Sequence, residues 1–350
     1  MSGARFDYVA GVGGIGSGVL FLLEGEHDLG RNESRLGELT DYQDYCKLHI
    51  ILHYTAVLLE GALPVFPIGR VGRDENGARL ISLMQKAGMD TAFVTTDPEK
   101  PTMYAVCFQY PNGEGGNLTA SNSASAEVCE EDVDRFFASR QPGERGLLLA
   151  APEAPLAARI HLLKRGRALG CYNAASLLSG EAARFVEDNL FECVDLLSVN
   201  EDEAAAILRA AGVPAAGESP AEACGAYLQR HYPGLSVFIT LGKRGVRSFA
   251  GGRTESIPAI AGKPVSTAGA GDCFLGAVLA CIAHCIPLQE IGEKGVLRCA
   301  AELGSLAAGF KVQSRDSIHF GLTKDALAAF AAENGLRIAP NGIWNVQQAT

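Results

Sequence analysis

The sequence predicts an α/β fold: a mainly parallel central sheet, helices on both of its faces, and a small β-sheet lid. Two observations carry this reading. Short apolar runs alternate with longer segments whose apolar residues recur at helical spacing, which is the rhythm of βα units. The run TMYAVCFQYPNGEGGNLTASNS, residues 102–123, breaks that rhythm. Its turn cluster PNGEGG separates two β-prone halves, a hairpin leaving the parallel sheet as a lid does.

In chain order, FDYVAGV is a strand and residues 44–61 a helix; PVFPIG is a strand, and ENGARLISLMQKAG a helix ending at Gly88. The alternation resumes with RGLLLAAP, a helix over 155–169, LGCYN, a helix from Gly180, CVDLLSVN, a helix from Glu201, and LSVFITL. VFITLGKRGVRSF reads as strand, tight loop and strand, with Thr240, Gly242 and Gly245 at the bend. The polar stretch from Glu24 to Ser34 is a second break in the rhythm.

With 350 residues, 47% hydrophobic and 20% charged, the chain has ample length for a core and the composition of a globular protein. Its net charge of -10 argues against a nucleic-acid binder, which needs a basic face. Ten cysteines without a C-x-x-C pair argue against zinc ribbons and redox dithiols and fit a reducing cytoplasm. Five glycines interrupt the apolar stretch from Tyr8 to Leu23, so it reads as a strand and a turn rather than a signal peptide, and no segment suits a bilayer.

The residues 266–272, STAGAGD, open the helix CFLGAVLACIAHC. A helix start preceded by Gly269, Ala270 and Gly271 presents unpaired N–H groups and the positive dipole end, which suit a phosphoryl group. Asp272 at that mouth is either a helix cap or a carboxylate that takes a proton, and the dipole predicts a weak base with a pKa near ~4 or below. Gly11, Gly13 and Gly16 match G-x-G-x-x-G, but a polar run follows instead of a helix. A glycine turn between two strands is the better reading than a nicotinamide site. Asn200 and Glu203 begin a helix after a buried strand, where they serve as caps or as hard oxygen ligands. His49 and His53, four apart, read as packing or hydrogen-bonding residues ahead of substrate or zinc ligands. Arg31, Asn32 and Arg35 are solvated surface or an anion-receiving cluster.

Taken together, STAGAGD with its long helix, the later AAGFKV, VFITLGKRG, SVNEDEAAAIL with Asn200 and Glu203 as N-x-x-E, GRVGRDENG and the lid-like hairpin resemble the ribokinase, or PfkB, family of carbohydrate kinases over residues 6 to about 320. The resemblance implies one domain over 1–350 with a three-layer ribokinase-like fold and a lid from segments about 13–40 and 101–122. It implies ATP as donor and a sugar or sugar-like hydroxyl as acceptor. A nucleoside kinase and a non-catalytic nucleotide-binding relative are the alternatives. Asp272 corresponds to the catalytic base, and the amides of Gly269, Ala270 and Gly271 to the anion hole. Mg2+ is expected near Asn200 and Glu203, through water, with Thr240, Gly242, Gly245 and a loop over 300–309 flanking the nucleotide. Relatives of this kind also pair as homodimers through their lids.

The acceptor side departs from the pattern. Gly18 stands about where the family carries a substrate-binding aspartate, and DYCKLHIILHYTAVLL replaces its glycine-rich G-G-x-x-x-N segment. Gly14, Gly16, Gly18, Lys47, His49, Arg31 and Asn117 are therefore the candidates for acceptor contacts, with Asp44 and His53 as further replacements. Ser266 occupies the place of an aspartate that helps hold a monovalent cation, which puts potassium activation in doubt.

Overall fold

A computed structural model describes residues 6–340 apart from 41, 113–114, 216, 218, 261 and 291–292. From the N-terminus come β1 (Tyr8–Val12), β2 (Gly16–Leu23), β3 (Gly37–Leu39), β4 (Asp44–Tyr45), α1 (Lys47–Leu59), β5 (Val65–Gly72), α2 (Glu75–Lys86), β6 (Val94–Asp97), β7 (Met103–Gln109) and β8 (Gly115–Thr119). They are followed by α3 (Glu130–Ala138), β9 (Gly146–Ala150), α4 (Leu156–Ala168), β10 (Tyr172–Ala175), α5 (Ala182–Glu187), β11 (Leu196–Asn200), α6 (Glu201–Ala211) and α7 (Pro220–His231). The last third holds β12 (Ser236–Thr240), β13 (Val246–Ala250), β14 (Arg253–Ile257), α8 (Ala270–Ala283), β15 (Val296–Leu297), α9 (Ala300–Lys311), α10 (Lys324–Glu333) and β16 (Arg337–Ile338).

Nine strands form the central sheet in the order β14-β13-β12-β11-β10-β9-β1-β5-β6, parallel except for β13 and β14 at one edge. β1 lies inside the sheet, between β9 and β5, and all five of its residues are buried, as a parallel strand covered on both faces requires. Val9 packs with α1, α8 and α9, while Tyr8, Ala10 and Val12 pack with α3 and α4, so the strand alternation feeds two helical layers. α8 is apolar nearly all round and is buried between α1 and α9. Gly276 permits that approach, because a Cβ there would stand 2.5 Å from the Ile51 carbonyl.

The second sheet is the lid, in the order β3-β2-β7-β8 with β4 also paired to β2. β7 and β8 form the expected antiparallel hairpin, although Gly113 and Glu114 at its tip lie outside the described residues. Gly13 and Gly14 make the turn between β1 and β2, as read for the glycine cluster. One expectation is corrected. Residues 300–309 are not a loop but most of α9, because Ala300, Leu303, Leu306, Ala307 and Phe310 recur at helical spacing and turn toward the core. α7 also went unread, although Ser219 caps it and Pro220 opens it in the usual way.

Candidate active site

Parallel strands deliver their C-terminal ends to one rim of the sheet, where ligands bind in such folds. Here β1 delivers Gly13 and Gly14, β9 delivers Glu153, β11 Asn200, and β12 Thr240, which pairs in register with Asn200. α1 and α8 start at the same rim. Gly269, in the left-handed region at φ 73°, is the N-cap of α8, so Asp272 in the first turn is relieved of capping. The Ala270 amide donates to the Thr267 carbonyl at 3.1 Å. Of the three amides expected to face an anion, those of Gly269 and Gly271 are without a partner among the described residues. The Thr240 hydroxyl faces the turn, 3.9 Å from where a Cβ on Gly271 would lie.

Asp272 belongs to a dense electrostatic cluster with Asp44, Lys47, Glu203 and Lys311. Burial is the main cause that pushes its carboxyl up to about 6; Lys47 opposes the shift, Glu203 and Asp44 add to it, and Lys311 opposes it. The expected dipole effect is thereby overturned: desolvation outweighs the helix terminus, and Asp272 is a stronger base than its position in sequence suggests. Burial works against the charge on Lys47 too, yet Asp272, Glu203 and Glu153 together hold its pKa above the ordinary lysine value.

Glu153 is the residue that the sequence reading missed. Its carboxylate accepts the Lys47 amide at 2.8 Å, satisfying an orphan donor of the first turn of α1, and burial pushes it up to about 7. Its backbone sits at φ 69°, a strained geometry for a non-glycine residue. The only sequence signal was an acidic residue directly after the apolar strand LLLAAP. Lys311, the one charge near the end of an apolar helix, also went unread.

Asn200 and Glu203 form a reciprocal capping box: the Glu203 amide donates to Asn200 Oδ1 and the Asn200 amide to Glu203 Oε2, both at 2.8 Å. The other Glu203 oxygen lies 3.4 Å from Lys47 Nζ. This arrangement leaves outer lone pairs for water around a cation and fits a magnesium ion held chiefly by phosphate oxygens. Gly242 and Gly245 both have positive φ, and the bend they form carries Lys243 and Arg244 in the open.

On the acceptor side, Gly18 of β2 pairs with Asp44 of β4, so a carboxylate lies beside the position where the sequence lacks one. Asp44 lines a cavity of about 880 Å³ between the lid and residues 264–268, with Leu20, Leu22, Tyr42 and Cys107 among its walls. Asn117, on β8, pairs with Cys107 of β7 and is exposed. Gly14, Gly16 and Gly18 are buried, and a Cβ at these positions would clash with the carbonyls of Glu153, Met103 and Ala105, respectively. His49 is not brought to the cluster: it is fully buried against Tyr45 and His53. Arg31 is exposed on the turn after β2 and does not line this cavity.

Comparison with known proteins bears on the fold and the family. Ribokinase of Schizosaccharomyces pombe is 29% identical over 238 residues, covering 67% of this chain and 71% of that protein. In fold, the chain matches ribokinase of Cryptococcus neoformans in complex with ADP (TM-score 0.72, 19% identity, 92% of this chain and 98% of that one). It also matches Burkholderia thailandensis nucleoside kinase in complex with inosine (TM-score 0.71, 18% identity, 95% and 100%). Residues 55–324 match the pfkB family carbohydrate kinases, and by that match the chain belongs to this family.

Proposed function

We propose that the protein is an ATP-dependent kinase that moves the γ-phosphate to a hydroxyl of a sugar-like molecule, working as one domain over 1–350 with lid segments about 13–40 and 101–122. The observation that carries the reading is Asp272: a half-buried carboxylate of raised pKa in the first turn of α8, beside amides without a partner among the described residues and facing Lys47. The acceptor hydroxyl approaches under the lid, and its oxygen forms a bond to the γ-phosphorus as the bond to the leaving ADP oxygen breaks. Asp272 takes the hydroxyl proton. Near neutral pH it is largely ionised, and in a loose transition state aim counts for more than basicity. The amides of Gly269 and Gly271 and the Lys47 ammonium meet the charge that develops on the transferring group.

Magnesium, when bound, offsets the phosphate charge, with Asn200 and Glu203 reaching it through water. Thr240, Gly242 and Gly245 border the nucleotide. Asp44, with Lys47, holds the acceptor in place of the carboxylate missing at Gly18. Ser266 and the Lys311 ammonium on its carbonyl support turnover without an added monovalent cation. Leu39, Tyr104 and Leu118, exposed on lid strands, support pairing of two lids in a homodimer. Buried thiols such as Cys224 and Cys281 support a reducing, cytoplasmic setting.

The second reading within the class is a nucleoside acceptor. It is favoured by the size of the cavity and by Leu20 and Leu22 on its walls, which offer an apolar surface beside a polar anchor. A coupled ADP-release screen over sugars, phosphosugars and nucleosides tests both readings. Turnover with sugars alone removes the nucleoside reading. Mg-ATP binding with no turnover on any member of the panel favours a non-catalytic relative.

A further inference from the structure

α9 ends beside the loop leading into the anion-binding turn, and its last residue is a lysine with no access to solvent. Lys311 is fully buried, and its Nζ donates to the Ser266 carbonyl at 3.3 Å. The next residue holds the same stretch through its backbone: the Val312 carbonyl accepts the amides of Val265 at 2.7 Å and Ser266 at 3.1 Å. On the far side, a Cβ on Gly269 would stand 2.4 Å from the Ser317 carbonyl. Ser317 is itself tied to the acceptor wall, because its amide donates to the Gln43 carbonyl at 3.1 Å and its hydroxyl accepts the Tyr45 amide at 3.0 Å. The turn is gripped from two directions.

An ammonium without water is costly unless its surroundings repay the desolvation. Lys311 sits at the negative end of α9, and the carboxylates of Asp316, Asp44 and Asp272 support its charge, with the Cys273 thiol and His319 also facing it. Surface packing would not require a charge here, and a methionine would fill the same space. We propose that Lys311 is a positioning residue for phosphoryl transfer: its ammonium fixes the loop at Ser266, so that the turn and Asp272 stay aimed into the cleft. The proposal rests on the reading of that turn as the transfer site. Burial holds the Lys311 amine down to about 8, so the locking charge is lost as pH rises through that value.

The experiment compares wild type with Lys311→Met. The variant is expected to lose kcat by about 100-fold with a small change in KM, as misplacement of a catalytic turn does. Hydrogen exchange of residues 266–271 accelerates while the interior of α8 keeps its protection. The alkaline fall of kcat near pH 8, present in wild type, is absent in the variant, and added ammonium ion restores part of the rate. A folded Lys311→Met with wild-type kcat and wild-type exchange overturns the proposal. Should the variant not fold, wild type decides: a one-proton fall of kcat near pH 8 supports the role, and a flat profile above pH 8 overturns it. If wild type phosphorylates nothing in the panel, the kinase reading fails, while the exchange measurement still tells whether Lys311 holds the turn.

Discussion

The two walls of the cleft are made of different material. On the proposed function, the wall that would face phosphate is largely backbone: the glycine turn before α8, the start of α6 with its capping box, and the bend between β12 and β13. The acceptor wall is made of side chains brought from separate segments: Asp44 from β4, Lys47 from α1 and Glu153 from the end of β9. Backbone devices leave compact signatures in sequence, because a positive φ or a helix mouth needs particular residues at fixed spacing. A wall of converging side chains is set by long-range packing and leaves no local pattern.

The largest expected effect falls on the phosphate-facing wall. Asp272→Asn keeps size and helix start but removes the base, and kcat should drop by about 100- to 10,000-fold with nucleotide binding retained in calorimetry. In wild type, kcat/KM should rise with pH through about 6, because the active form is the carboxylate and burial raises its pKa to that value. Unaltered turnover in Asp272→Asn would place the base elsewhere.

Next is Lys47→Met, which touches both walls at once. The ammonium is the countercharge shared by Asp272, Glu203 and Glu153. Its removal should lower kcat by about 100- to 1,000-fold, the scale for losing one donor at a developing charge. It should also move the acidic limb of the pH profile upward, since Asp272 loses the group that opposes its burial. A limb that stays near 6 would mean that Lys47 does not face Asp272 in the working enzyme.

Asp44→Ala probes the acceptor wall alone. Loss of one charged hydrogen bond is worth about 10- to 100-fold, and it should appear in KM for the acceptor while KM for ATP is kept. An equal loss in both KM values would contradict the division into two walls.

This division also explains what was legible. The βα order and the lid hairpin could be read because periodicity and turn residues encode them, and Asp272, Asn200, Glu203 and Thr240 were singled out by motifs that resemble the family's. Glu153 could not: one acid after one strand says nothing until α1 is docked with its first amides toward β9. Asp44 was one of several replacements offered for the aspartate absent at Gly18, because the sequence could not show that β4 lays Asp44 beside Gly18. The basicity of Asp272 was misjudged for the same reason, since desolvation is a property of the assembled cluster.

The smallest effect should come from His49, which the sequence offered as an acceptor contact. It lies on α1 only two residues from Lys47, yet its ring is fully buried against Tyr45 and neither ring nitrogen has a partner among the described residues. Burial, with His53 and Arg79 adding to it, holds its pKa down to about 3, against 6.5 in the unfolded chain. The unfolded state therefore binds a proton that the folded state refuses. Stability should be fully present above pH 6.5 and fall as pH drops from 6.5 toward 3. His49→Leu removes that linkage and a desolvation cost of about 1–3 kcal/mol. Thermal unfolding across this pH range should show a variant at least as stable as wild type and flatter in acid, with unchanged kcat and KM at neutral pH. A variant that keeps its melting temperature but loses acceptor affinity would put His49 back on the acceptor wall, and that wall would then reach two residues further along α1 than Lys47.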